Sequence, residues 1–200
     1  MALKFAVNNS LSAVTSLPTA IPTGSMTLLQ TQTASNSSDI EFTSNIDSTY
    51  DSYIFKLINV HNDTDNGYLT FNFSTDSGSN YNVTKTSTFF RARHDEADST
   101  TELAYQTARD LAQSTGEKQI CVDTGSDSDQ STVGTLQLFN PSSTTFVKHF
   151  IGTFNIYTYN DESRSTFVAG YGNTTSAINA IRFKPASGTI DGTIKMYGVK

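Results

Sequence analysis

Apolar side chains alternate with hydroxyl-bearing ones, and Gly, Asn, Asp or Pro break the pattern at short intervals; this limits the chain's fold more than any other feature. The pattern is clearest in residues 52–75. There Leu69, Phe71 and Phe73 alternate with Thr70, Asn72 and Ser74, the period of a strand with one buried and one wet face. The preceding limb is apolar on both faces, with Tyr53, Phe55 and Leu57 on one and Ile54, Ile58 and Val60 on the other. Strands interior to a sheet read this way. Between the limbs lies Asn66-Gly67, a dipeptide that accepts the positive φ angles of a type I′ turn. The stretch therefore reads as a β-hairpin, with Phe71 in the core and Asn72 facing water.

Similar signals recur along most of the chain. Strands are predicted within residues 26–33, 39–43, 81–93, 118–123, 135–139, 167–172, 177–184 and 189–200, the last two joined by a hairpin turn at 185–188. Phe146, Phe150, Phe154 and Ile156 share a parity over a run too long for one ordinary strand, so Gly152 is the expected bulge or bend. One helix is expected over residues 99–116. Ser99 and Glu102 match a capping box, Leu103, Ala104, Ala108, Leu111 and Ala112 recur at helical spacing, and Gly116 suits the stop. Residues 1–24, with Pro18 and Pro22, read as an extended N-terminal arm with Leu11, Val14, Leu17 and Ile21 to bury on itself or on a neighbouring subunit. Residues 25–200 then form an all-β domain of nine to eleven strands, a jelly-roll-like antiparallel β-sandwich with one short helix.

The chemistry-bearing residues are each better explained by structure than by a site. Cys121 is the only cysteine, so it forms no internal disulfide and reads as a buried strand residue rather than a nucleophile. His61, His94 and His149 are too scattered for a zinc signature. The acidic loops at Asp63 and Asp65 and at Asp123, Asp127 and Asp129 do not fit an EF-hand, and read as solvated turns rather than calcium sites. Asp95, Glu96, Asp98 and Glu102 are the only candidate acids for glycoside hydrolysis, and a helix start accounts for them. Tyr157, Tyr159 and Tyr171 would make a sugar platform only if they faced solvent together. Six Asn-x-Ser/Thr matches, at Asn8, Asn36, Asn62, Asn72, Asn82 and Asn173, follow from composition alone. No catalytic, cofactor-binding or metal-binding residue is assigned, and the chain is expected to be no enzyme.

Only 16% of residues are charged and the net charge is -6, so a nucleic-acid partner is not expected. The N-terminus breaks at Asn8-Asn9 before a signal-peptide core develops, and no run is long and apolar enough for a membrane helix. A soluble protein without export is expected.

The ending, Ile181-Arg-Phe-Lys184 and then Ser187-Gly-Thr-Ile-Asp-Gly-Thr-Ile-Lys-Met-Tyr-Gly-Val199, resembles the closing hairpin of uncharacterised virion structural proteins of marine tailed bacteriophages. Residues 27–33, 39–43 and 74–81 carry the same likeness in order along the chain. The resemblance implies a non-enzymatic virion protein made in the host cytoplasm, first of all a capsid decoration or cement protein. It implies a symmetric homo-oligomer, preferably a trimer, touching the major capsid protein and other virion proteins. The alternative is a tail or fibre module that binds host surface glycan.

Overall fold

The computed structural model describes residues 26–200, and every regular element among them is a strand. In chain order these are β1 (Met26–Ser37), β2 (Ile40–Phe42), β3 (Ser52–Asn62), β4 (Gly67–Ser74), β5 (Lys85–Asp95), β6 (Thr101–Tyr105) and β7 (Leu111–Ser114). Then follow β8 (Lys118–Thr124), β9 (Thr132–Phe139), β10 (Lys148–Tyr157), β11 (Glu162–Gly172), β12 (Ala180–Pro185) and β13 (Ile190–Val199). Two antiparallel sheets result. The larger has nine strands, ordered β1-β13-β3-β9-β10-β11-β5-β6 with β7 also on β5; the smaller is β2-β12-β4-β8. The expected arm, residues 1–24, lies outside the described residues.

Phenylalanines close the space between the sheets. Phe55 of the large sheet meets Phe42 and Phe183 of the small one at ring-centroid distances of 5.3 and 5.6 Å. Phe71 meets Phe150 edge-on at 5.1 Å. All five rings are fully buried, and edge contacts of this kind add to the burial of their area.

Several expectations change. The jelly-roll arrangement is not shown by this strand order. The stretch 52–75 is not a hairpin: β3 pairs with β13 and β9, β4 with β12 and β8, so the turn carries the chain between sheets. Only part of the expected local chemistry applies: Asn66 has φ 54°, but Gly67 is not left-handed and serves for space instead, since a Cβ there would lie 2.8 Å from the Thr64 carbonyl. Turn geometry reverses the chain without choosing which edges it joins. Likewise residues 186–189 connect the two sheets rather than closing a hairpin. The two crossings lock together, with the Thr189 hydroxyl donating to the Asp63 carboxylate at 2.8 Å and the Asp63 amide donating to the Thr189 carbonyl at 3.1 Å.

The expected helix over 99–116 is absent. Its residues form β6 and β7, which raises the count among the described residues to thirteen strands. The Ser99 amide and hydroxyl both donate to Asp95 behind them, closing the β5–β6 turn, while Glu102 reaches the arginines of β5. A helix with only two large apolar residues had little to bury, whereas the edge of β5 offered a full row of backbone partners. Gly152 neither bulges nor bends. β10 keeps unbroken register with both neighbours, and a Cβ on Gly152 would lie 2.7 Å from the Phe154 ring, so the glycine makes room for it. Asn72, expected at the wet face of β4, is buried together with Thr70 and Ser74. Loops cover that face: Asn72 Nδ2 donates to the carbonyls of Tyr81 and Thr115.

A candidate contact face on the large sheet

Nine strands cannot be covered by four, and the outward side of β10, β11, β5 and β6 carries apolar residues that no second layer hides among the described residues. Strand alternation puts Phe89 and Arg91 inward and Phe90 and Ala92 outward. Pairing then lines up Phe167, Phe90 and Tyr105 in one row across three strands, with Ile151, Ala169 and Thr88 in the next. Phe90 and Phe167 stack at 4.8 Å with an interplanar angle of 11°. Leu103 is 75% exposed, Ile151 55%, Tyr105 50% and Phe90 40%. Scattered exposed apolar residues are normal; a run of them across four strands marks a contact surface.

Two shallow depressions lie among the apolar rows of the face. The larger, about 430 Å³, is bordered by Thr86, Thr88, His149, Ile151, Ala169 and Tyr171; His149 meets the Tyr171 ring edge-on at 6.0 Å. The smaller, about 180 Å³, lies between Phe90, Ile151, Thr153 and Phe167. At the rim the Tyr105 hydroxyl donates to Asp110 at 2.6 Å, and that carboxylate pushes the phenol's pKa up.

Behind the face, the same strands turn charge inward. Arg164, 1% exposed, pairs with Asp123 and Glu162. Arg93 reaches Glu162 at 3.0 Å and Glu102 at 2.7 Å; Arg91 reaches Glu102 at 3.0 Å and Asp123 at 3.5 Å. Burial, then the neighbouring Arg91 and Arg93, pulls the Arg164 pKa down to about 10. Three guanidiniums meet three carboxylates, so the cluster is internally neutral and holds the strands whose other side forms the face.

The residues singled out in the sequence do not converge. Glu102 belongs to this ion-pair cluster. Asp95 is held at about 2 by hydrogen bonds from Ser99 and Thr100, the opposite of the raised pKa a general acid needs. Asp98 faces His94 at 3.0 Å in an exposed turn. His61 sits 2.7 Å from the Gln130 carbonyl, and among the described residues no group of three or more His, Cys, Asp or Glu could hold a metal. Asp65 accepts from Ser126 of the second acidic loop, and Asp123 turns inward to Arg164. Cys121 is buried and its thiol pKa is pushed up by that burial. Tyr157 and Tyr171 share a face at opposite ends of the β10–β11 ladder, roughly 26 Å apart at about 3.3 Å per residue. They form no platform.

No family model matches the chain, and no curated protein or solved structure matches it. The functional reading therefore rests on the face itself. Sequence reasoning missed Phe90, Leu103, Ile151 and Phe167 as a group. The usable signal was apolar residues at consecutive positions, Phe89-Phe90 and Phe150-Ile151, which fill both sides of a strand.

Proposed function

We propose that this protein is a non-enzymatic structural subunit of a bacteriophage particle, most simply a capsid decoration or cement protein that assembles as a symmetric oligomer, a trimer for preference. One observation carries the reading: the uncovered apolar face of Phe90, Leu103, Tyr105, Ile151 and Phe167, which needs a neighbour more than a substrate. The likeness of residues 27–33, 39–43 and 181–199 to virion proteins supports it, as does a hydroxyl-rich exterior with few charges. Quantifying this chain per purified particle tests the proposal. Hundreds of copies support the head, a handful move it to the tail, and absence from the particle overturns it.

A second reading has its own observation. The larger depression combines Tyr171 and His149 with the hydroxyls of Thr86 and Thr88, the mixture of ring faces and donors that suits a sugar. Binding of host surface polysaccharide that is lost in Tyr171→Ala would favour a receptor-binding tail or fibre module. A glycan array without hits would retire that alternative.

A further inference from the structure

The large and small sheets meet at a buried side-chain pair that no contact function requires. Lys85 opens β5 and Asn72 lies in β4; both are at most 1% exposed. Lys85 Nζ stands 2.5 Å from Asn72 Oδ1, closer than an ordinary N–H···O hydrogen bond, and its other acceptor is the Val83 carbonyl at 2.7 Å. The amide is fixed on every side. Its Oδ1 also accepts from the Phe73 backbone N–H at 2.9 Å, and its Nδ2 donates to the carbonyls of Tyr81 at 2.8 Å and Thr115 at 3.0 Å.

An acid acts on Lys85 from beyond hydrogen-bond reach. Glu117 is two residues beyond Thr115, and its Oε1 accepts from Arg182, the cross-strand partner of Asn72, at 2.8 Å. Its Oε2 is buried without a hydrogen-bond partner. Burial pushes the Lys85 pKa down to about 8, with Glu117 opposing. About one amine in ten is therefore neutral at pH 7. Lys118 and Lys148 are equally buried, but their amines hydrogen-bond only to backbone carbonyls, of Arg109 and of Phe146 and Thr174. Only Lys85 faces a side-chain amide.

We propose that Lys85 and Asn72 are a self-crosslinking pair, in which the lysine amine displaces ammonia from the asparagine amide and leaves an isopeptide bond joining the two sheets. The neutral Nζ adds to Cγ of Asn72 as the carbonyl electrons move onto Oδ1, where the Phe73 N–H stabilises the developing charge. Nζ then loses one proton and Nδ2 gains one, a transfer assigned to the Glu117 carboxylate once its side chain turns from Arg182 toward the pair. The Cγ–Nδ2 bond breaks, the carbonyl reforms, and Nδ2 departs as ammonia. One C–N bond replaces another, so neither oxidant nor reductant is needed. The product is a covalent strut between β4 and β5, independent of what the particle-facing surface binds.

Intact-mass spectrometry on the denatured full chain tests this directly. The expected mass is about 17 Da below that of the sequence, the loss of one ammonia. Chymotryptic cleavage after Phe73 or Tyr81 should then leave the Asn72 and Lys85 peptides joined as a branched product. Lys85→Arg and Asn72→Ala should restore the full sequence mass, and Glu117→Gln should leave folded protein unreacted. The wild-type mass is informative even if a variant fails to fold. An unshifted wild-type mass overturns the proposal. So does an ammonia loss that maps to a succinimide at Asn66-Gly67, and persistent linkage in Glu117→Gln removes the role given to that acid.

Discussion

Lys118 allows the energetics of the interior to be tested with a single substitution. Its amine is fully buried, donates to the Arg109 carbonyl at 2.8 Å and lies 5.1 Å from the centre of the Phe89 ring. Burial pushes its pKa down from 10.5 to about 8, against the pull of Asp110. At about 1.4 kcal/mol per pH unit, holding the charged form inside costs the fold about 3 kcal/mol below pH 8. Lys118→Met removes that cost but leaves the Arg109 carbonyl unpaired, a loss of about 1 kcal/mol. The variant should therefore be more stable by about 2 kcal/mol at pH 7. Between pH 8 and 10.5 the native lysine releases its proton while the unfolded one keeps it, so wild-type stability gains on the variant as pH rises. The advantage of Met should shrink by about 1 kcal/mol from pH 8 to 9. Urea unfolding of both proteins at pH 7, 8 and 9 measures this, and taking the difference cancels Cys121 and Tyr53, whose raised pKa values lower stability above about pH 9 and 10. A difference that stays constant with pH, or a variant less stable at pH 7, refutes the reasoning.

Other substitutions probe the packing and the face. Phe71→Ala should cost about 3–5 kcal/mol in chemical denaturation, because Phe73, Phe150 and Phe183 all lean on that ring. Asn72→Ala should also destabilise by several kcal/mol, since it strips Lys85 of an acceptor and three backbone groups of their partner; a near-neutral result would contradict the buried position. Arg164→Ala should cost about 3–5 kcal/mol by leaving Asp123 and Glu162 without their buried cation, whereas Leu103→Ser should leave the thermal midpoint within about a degree and weaken self-association by light scattering. Deleting residues 1–24 should keep the fold and loosen assembly; unchanged oligomerisation would end the arm reading.

Much of this architecture was legible because strand periodicity is a local property. Leu69, Phe71 and Phe73 are core, and Phe89 and Phe90 point to opposite sides, as alternation requires. What a local pattern does not carry is partnership. Asn66-Gly67 turns the chain whether the next strand joins the same sheet or the opposite one. Ser99 and Glu102 satisfied a helix rule until Asp95 and the arginines of β5 offered stronger partners. The contact face was hidden for the same reason: Phe167, Phe90 and Tyr105 are far apart in sequence and become one row only through register. The Lys85–Asn72 pair was equally out of reach, because Asn72 looks solvent-facing until the loops around Tyr81 and Thr115 fold over it.

The placement of β13 has a consequence for biosynthesis. It lies between β1 and β3, with Val199 opposite both Met26 and Ser52. During synthesis β1 stays without its ladder partner until Ile190–Val199 have been made, and loss of that strand would open two hydrogen-bonding edges at once. A chain cleaved ahead of β13 would therefore carry two bare strands on which other copies could pair.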